Sequence, residues 1–382
     1  MQAENTLAER DRKRKMKEQS IGIIETLNWT SLLMDWFDTH KRDLPWRTES
    51  PRDPYKVWVS EIMLQQTRVE AVKAYYTNWM EHFPDIPSLA AAEEDEVVRQ
   101  WQGLGYYSRA RNLHTAVREV MATYGGRVPE TREEIRRLKG IGDYTAGAVL
   151  SMAYGKRETA VDGNVLRVFA RIYNIEENIL SAKVKKEITA LVRVRQDAAR
   201  PGDFNEALMD LGATVCIPGQ PRCEVCPLSS VCKAKAAGKE AEIPLRVKKK
   251  EVPVESVTVF VMRAGELYLL HRRPSKGLLA GMWEFPNCVG EGGQGKKALT
   301  AELAAIGVRV EEVSGPVKQI RHVFSHKVWQ MSVYEARAAK DVISPLVVPS
   351  GWRWVPVTEL ADFNLAGPHN RILRDVDELT TK

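Results

Sequence analysis

Leu138 to Leu150 reads LKGIGDYTAGAVL. Two glycines flank one isoleucine, between a basic helical stretch (TREEIRRLKG) and a helix of small apolar residues (TAGAVLSMAYG). Gly-x-Gly ahead of a helix suggests an anion site, because a helix N-terminus offers unpaired backbone N–H groups. No GK[ST] follows and no strand precedes, so neither a P-loop nor a dinucleotide fingerprint fits. Two readings remain. The turn is a tight connection between helices with no ligand, or it aims backbone N–H groups at one phosphate of a nucleic-acid strand. Neither explains why Tyr144 stands beside it.

Outward from this turn, residues from about Trp29 to Ala237 read as helix after helix. Leu32, Leu33, Trp36 and Phe37 repeat at helical spacing, as do Val97, Val98 and Trp101. FPDIP, YGGRVPE and ARPGD punctuate the run. Alternating strand pattern is almost absent before residue 250, and there is no fixed-period repeat. KAKAAGKEAEIPLRVKKKEVP is basic, small and helix-poor, as a connector should be. Beyond it SVTVFVM, GELYLLHRR, KVWQMSVYEAR and GWRWVPV read as strands, with one helix (KKALTAELAAIG) among them. The expected organisation is a charged tail over 1–19, an all-α domain over 20–232, a basic linker over 233–252 and a smaller α/β domain over 253–382.

The bulk numbers bound the function. A chain of 382 residues holds two or three domains, and 44% hydrophobic with 28% charged residues is ordinary for a soluble globular protein. The first twenty residues lack an apolar h-region and no run approaches eighteen apolar residues, so a secretory signal and a membrane span are not expected. A cytoplasmic location is. Lys233 to Lys250 holds seven basic and two acidic residues, five of the net six positive charges. Such a run is compatible with a phosphate-bearing partner and equally with a solvated linker.

Four of the five cysteines, Cys216, Cys223, Cys226 and Cys232, fall within seventeen residues as C-x6-C-x2-C-x5-C, with Cys288 far away. Disulfides are disfavoured in a reducing cytosol, which points to a metal. Zinc takes two separated CxxC knuckles or a Cys/His mixture, whereas one compact all-cysteine loop suits a four-thiolate iron–sulfur cluster. Spacing favours the cluster and leaves zinc as the alternative.

The hairpin turn is followed about twenty residues on by VDGNV, and then by the four-cysteine loop. This order resembles the helix-hairpin-helix DNA glycosylase superfamily that carries an iron–sulfur loop. LPWR (44–47), SEIMLQQT (60–67), GLGYYSRARNLH (103–114), VDGNVLRV (161–168) and FNEALMDLGA (204–213) resemble its MutY branch of adenine glycosylases. The C-terminal part is similar to that family's Nudix-like domain. The resemblance implies an all-α helix-hairpin-helix glycosylase domain, with a six-helix region about 47–154 and an iron–sulfur subdomain about 20–46 plus 155–232. It implies a [4Fe–4S] cluster on the four cysteines. It further implies a monomer, associated with the nucleoid, that acts on duplex DNA and excises adenine mispaired with 8-oxoguanine or guanine.

Breaking an N-glycosidic bond through an oxocarbenium-like transition state needs an acid for the leaving base and a carboxylate near the developing charge. The base must also leave the stack. Glu61 lies in VWVSEIML, an apolar setting that would raise its pKa, or else faces solvent on a polar stripe with Gln65 and Arg68. The resemblance implies that it protonates adenine N7. Asp162 precedes NVLRVFARIY, where pattern alone suggests an N-cap. The resemblance makes it the carboxylate that stabilises the oxocarbenium ion, with Asn164 positioning the machinery. In the endonuclease III branch a lysine at the place of Tyr144 forms a Schiff base and cleaves the strand. Tyrosine cannot, so the resemblance implies a glycosylase without efficient lyase chemistry, Tyr144 hydrogen-bonding near the catalytic aspartate. By the same carry-over Gly140 and Gly142 hold a DNA phosphate. Gln66, Thr67 and Tyr106 contact DNA, with Gln66 and Tyr106 wedged into the stack. Leu44, Trp46, Arg47 and Glu206 form the adenine pocket, although each reads as well as core or surface.

The C-terminal domain is informative by what it lacks. A Nudix hydrolase carries GX5EX7REUXEEXGU, whose glutamates hold magnesium. Aligning the final pair on Gly307-Val308 puts Thr300-Ala301 at the Arg-Glu and Ala304-Ala305 at the paired glutamates, so binding rather than hydrolysis is expected. HVFSHKVW (322–329) resembles the family's F-S-H loop, which makes Phe324, Ser325 and His326 the contacts to 8-oxoguanine; the alternative is a sheet-edge turn. His322 and His326 are too few for a metal site. Three rivals stand against the glycosylase. A bifunctional lyase would need a lysine at 144, a nucleotide pyrophosphatase the missing glutamates, and a non-catalytic iron–sulfur DNA-binding protein the replacement of Glu61 or Asp162.

Overall fold

The computed structural model describes residues 29–49, 51–245, 252–339 and 348–379. The charged tail expected over 1–19 lies outside them. The chain divides into two compact units, Met1–Ala92 with Arg111–Lys248 and Glu93–Ala110 with Lys249–Lys382.

The helices are α1 (Trp29–His40), α2 (Pro54–Leu64), α3 (Val69–His82), α4 (Ile86–Ala91), α5 (Glu94–Gln100), α6 (Ser108–Tyr124), α7 (Arg132–Ile135), α8 (Asp143–Met152), α9 (Gly163–Ile172), α10 (Ala182–Arg195), α11 (Pro201–Thr214) and α12 (Lys233–Ala236). No strand precedes Val254 among the described residues. On α1 the buried stripe is Trp29, Leu33 and Phe37, one turn apart. Leu32 instead stands 43% exposed, and Trp36 stacks on His40 at 5.5 Å. α2 starts on Pro54, with the Asp53 side chain accepting from Tyr55 N at 2.7 Å, and is buried on almost every face. α8 is buried from Thr145 to Ser151, and its small side chains let neighbouring backbone come close. α9 and α11 share one core with α1, built on Val165, Phe169, Phe204 and Leu208.

The linker expected from residue 233 starts later. Lys233–Ala236 is helical, and Ala234 and Ile243 sit in the same core as α9. Single apolar residues among lysines anchor this stretch, and the charge run conceals them. Residues 246–251 of the expected linker lie outside the described residues.

In the second unit β1 (Val254–Ala264), β2 (Leu267–Arg272), β3 (Trp283–Glu284), β4 (Asn287–Val289), α13 (Gly292–Ala305), β5 (Val310–Val323), β6 (Val328–Ala338), β7 (Trp352–Pro356) and α14 (Gly367–Leu379) follow in order. The sheet runs β3-β2-β1-β6-β5, with β4 on β1 and β7 on β2. β1 and β6 are parallel, from Val254 opposite Val328 to Arg263 opposite Arg337; the other pairs are antiparallel. Alternation along β1 feeds two cores. Val257, Val259 and Val261 enter one, while Phe260 and Met262 enter the other with Leu299 and Leu303 of α13. α13 carries Ala301, Ala304 and Ala305 where the Nudix glutamates would stand, and its single acidic residue is Glu302. β5 escapes sequence reading because it lies at the end of the sheet path, is mostly exposed, and shifts register between Ser314 and Lys318. No helix among the described residues is long and apolar enough to cross a membrane.

The hairpin turn between α7 and α8 depends on one glycine more than the other. Gly140 has φ +85°, and a Cβ there would lie 2.9 Å from Asn112 Cβ; Gly142 has φ −95° and nothing within 4 Å. Gly140→Ala is expected to cost about 1–3 kcal/mol and Gly142→Ala well under 1 kcal/mol, measured from urea midpoints. Equal midpoints for the two variants would contradict this assignment.

Candidate active site

The turn between α7 and α8, with α2, α9 and α11, walls a cavity of about 670 Å³. Of the residues singled out by sequence, Leu44, Trp46, Arg47, Glu61, Gln66, Thr67, Gly140, Gly142, Tyr144, Asp162, Asn164 and Glu206 all line it. Leu44 and Trp46 also serve as core, and Trp46 packs edge-on against Tyr76 at 5.4 Å. Gln66 is exposed with φ +58°, a left-handed backbone that a non-glycine residue adopts only under constraint.

Glu61 is 5% exposed, which rules out the solvent-facing stripe. Gln65, its supposed stripe partner, reaches Thr145 Oγ1 at 3.4 Å. The Tyr144 hydroxyl donates to Glu61 Oε2 at 2.6 Å. Burial pushes the Glu61 carboxyl up to about 7; the tyrosine hydrogen bond and the Arg47 charge oppose the rise, and the Glu206 and Asp162 charges add to it. Tyr144 thus makes its hydrogen bond to the glutamate, in the cavity that Asp162 also lines. The oxygens of Asp162 are engaged elsewhere.

Asp162 is the N-cap of α9, with Oδ1 accepting from Val165 N at 2.8 Å. Oδ2 accepts from Asn164 Nδ2 at 2.8 Å. Burial raises this carboxyl too, but both of those donors and the nearby Arg167 charge favour its ionised form. Glu61 has one hydroxyl donor and Asp162 two N–H donors, so the ionised form of Asp162 is the better hydrogen-bonded of the two. Asn164 is in turn held by Arg167 Nη2 at 2.8 Å. Gly212 on α11 makes room for it: a Cβ there would lie 2.6 Å from Asn164 Cβ.

Behind the pocket stands an ion network that sequence reading found only in part. Glu206 accepts from Arg47 Nε at 3.0 Å and from Arg52 at 2.5 and 2.7 Å. Asp210 accepts from Arg47 Nη1 at 2.8 Å and from Arg42 Nε at 2.8 Å. Arg42, Arg52 and Asp210 were missed. The signal available was the i, i+4 acid pair Glu206 and Asp210 on a helix whose following buried side chains, Ala207, Leu208, Met209 and Leu211, are apolar.

The four cysteines lie at the other end of α9. Cys216, Cys226 and Cys232 pack against the core, and none of the four is in a disulfide. Arg167 Nε donates to the Cys216 carbonyl at 2.8 Å, and Arg171 Nη1 reaches Cys216 Sγ at 3.3 Å. Among the described residues no three of His, Cys, Asp or Glu form a ready site for a single ion. The thiols nevertheless share one locus. Burial first, then one another's charge, pushes up Cys226 to about 12, and Cys223 and Cys232 also rise. Such a set ionises only with a strongly cationic centre among the sulfurs, so the donors suit a thiolate-bound metal.

In the second unit Tyr106 is 44% exposed with φ +49°. The Arg109 guanidinium lies 5.5 Å from its ring. Phe324 packs against His322 at 4.5 Å and Trp329 at 5.0 Å, leaving Ser325 and His326 exposed at a tight turn closed by Phe324 N to Lys327 O at 2.8 Å.

Known proteins share this organisation. A model of the HhH-GPD superfamily of base excision DNA repair proteins matches residues 59–193, and one of the NUDIX domain matches residues 257–375. The human adenine DNA glycosylase is 35% identical over 88% of this chain and 72% of its own length. That of Schizosaccharomyces pombe is 34% identical over 84% of each chain. Among solved structures, a thermostable thymine-DNA glycosylase matches 55% of this chain and 95% of its own with a TM-score of 0.50 and 31% identity. With likeness over most of both chains, the protein belongs to the adenine DNA glycosylase family, base excision repair enzymes that remove adenine from DNA.

Proposed function

We propose that the enzyme acts on adenine mispaired with 8-oxoguanine, or with guanine, in duplex DNA, using Glu61 as acid and Asp162 as carboxylate, and leaves an abasic site. The observation that carries this is the Tyr144–Glu61 hydrogen bond of 2.6 Å inside the cavity, where the carboxyl is raised to about 7. A flipped adenine enters between Leu44 and Trp46 on one side and Arg47 and Glu206 on the other. Glu61 gives its proton to N7, and the bond from C1′ to N9 breaks with its electron pair going to the base. The charge left at C1′ meets the Asp162 carboxylate, directly or through a transient bond. Water then adds to C1′, displacing the Asp162 oxygen where that bond has formed, and its proton passes to the Glu61 carboxylate, which restores the acid.

Backbone N–H groups around Gly140 and Gly142 take a phosphate, Gln66 and Thr67 meet DNA at the cavity rim, and Tyr106 wedges into the stack. Tyr144 supplies no amine, so the enzyme is monofunctional. Cys216, Cys223, Cys226 and Cys232 hold a [4Fe–4S] cluster, which when bound cross-links their loop and charge-balances the thiolates. Phe324, Ser325 and His326 read 8-oxoguanine. The enzyme works as a monomer in the nucleoid-bearing cytoplasm.

Single-turnover excision on duplexes with adenine opposite 8-oxoguanine, guanine, thymine or cytosine, with and without alkali, tests this reading; the first two should be cleaved, and only after alkali. Glu61→Gln and Asp162→Asn should each lose at least about a thousandfold, roughly 4 kcal/mol of barrier, while still binding the mispair. Near-normal excision by either variant overturns the assignment.

Glu61 must be protonated to act. Excision should therefore be insensitive to pH below its raised pKa of about 7, fall about tenfold per unit above it, and fall again at low pH as Asp162 protonates. A rate that rises through pH 7 excludes Glu61 as the acid.

Borohydride should trap little wild-type protein on DNA, and Tyr144→Lys should gain trapping. Strong wild-type trapping that the substitution leaves unchanged would place the nucleophile on another lysine. Anaerobically purified protein should hold about four irons per chain; stoichiometric zinc without iron would remove the cluster.

A further inference from the structure

A second cavity, of about 780 Å³, adjoins the first and has Asp143, Tyr144, Asp162 and Gly163 in common with it. Its far wall is one face of α10, formed by Lys185, Lys186, Thr189, Ala190 and Arg193. The opposite face of that helix, Val184, Ile188 and Val192, is buried in the core. Small side chains in the middle and cations at both ends make a surface that an extended polyanion can approach closely.

The charges differ in availability. Arg132, also on the wall, is bound to Glu158 at 2.7 Å and Asp143 at 2.9 Å, and Arg193 lies 3.6 Å from Glu158. Lys185 and Lys186 are exposed and form no ion pair among the described residues. They also stand in the first two turns of α10, which begins AKVKKE with no acidic residue in its first turn. Cations there oppose the helix dipole, so the fold gains nothing from them. An anion outside the fold would.

We propose that this second cavity is the track for the phosphodiester backbone of the adenine-bearing strand, with Lys185 and Lys186 as its phosphate contacts. The inference rests on reading the first cavity as the base pocket. With the base there and the sugar at Asp162, the strand must leave past the residues that line both cavities, and the wall it meets is α10. Contacts of this kind position a strand without reading its sequence.

The test uses full-length protein and a duplex with 2′-fluoro-2′-deoxyadenosine opposite 8-oxoguanine, which resists excision because fluorine destabilises the oxocarbenium ion. Lys185→Glu with Lys186→Glu should weaken binding about tenfold at 0.1 M salt and flatten the slope of log affinity against log salt by about two, since each phosphate contact contributes about 0.9. Neutral methylphosphonates at the linkages flanking the adenine should weaken wild type and leave the variant unaffected. In the opposite strand they should cost both proteins equally. Should the charge reversal lower thermal stability, Lys185→Gln with Lys186→Gln decides, with the same slope change expected. A wild-type slope in the variant, or flanking methylphosphonates that weaken both proteins equally, overturns the track. Excision of unmodified adenine is followed in parallel: a protein that excises normally but fails these tests loses the track alone, and one that excises no adenine loses the glycosylase reading itself.

Discussion

The structure is organised around one buried carboxyl. Glu61 has to be kept out of water to hold a proton near neutral pH, and burying a carboxyl without partners is costly. The Tyr144 hydroxyl supplies one hydrogen bond at 2.6 Å, enough to satisfy an oxygen without supplying a positive charge. Much of the surrounding sequence follows from that need. α2 is apolar on nearly all faces, and α8 is built of small residues so that its tyrosine can reach the glutamate. A cation beside Glu61 would undo the effect. Arg47 is close enough to lower its pKa, yet its guanidinium is committed to Glu206 and Asp210, which limits the pull.

α9 carries the second constraint. Its N-cap aspartate is the other carboxylate of the site, and two of its buried residues, Arg167 and Arg171, are cations that need acceptors. The cysteine loop and its neighbours supply them: the carbonyls of Gly212, Cys216, Ile217, Gly219 and Ile243 all accept from these two side chains. Buried guanidiniums left without such acceptors would be strongly destabilising. The loop is thus tied to the helix that presents Asp162, and Arg167 touches both Asn164 and Cys216.

Legibility in the sequence followed chemistry and periodicity. The twelve cavity residues, Glu61 and Asp162 among them, could be named through the family resemblance, whereas pattern alone left Glu61 on a polar stripe and Asp162 as a simple N-cap. Strands β1, β2, β6 and β7 showed in their β-branched and aromatic runs, while β5, with Ser314, Gly315 and Pro316 at its register shift, had no pattern to show. Contacts distant in sequence were not legible. Arg52 meets Glu206 across 154 residues and Arg42 meets Asp210 across 168, and nothing local marks either pair. The partner of Tyr144 could not be named for the same reason: which carboxyl receives its hydroxyl depends on how α2 packs on α8. Leu32 was misassigned because four apolar residues on α1 span more than the face that the core covers.

A glycosylase for an undamaged base faces a selection problem that the base pocket alone does not solve. Leu44, Trp46, Arg47 and Glu206 would meet the same adenine whether it came from a mispair or from a thymine pair. Extrusion helps, since a mispaired base costs less to unstack, but a difference of a few kcal/mol gives only about a hundredfold or so. The remaining discrimination has to come from the base left behind. On the proposed reading that is the work of the exposed Ser325–His326 turn, braced by Phe324 on Trp329. On that same reading the domain binds an oxidised guanine and hydrolyses no nucleotide, so it keeps its sheet without the metal-binding glutamates, and α13 bears alanines where a hydrolase would bear acids.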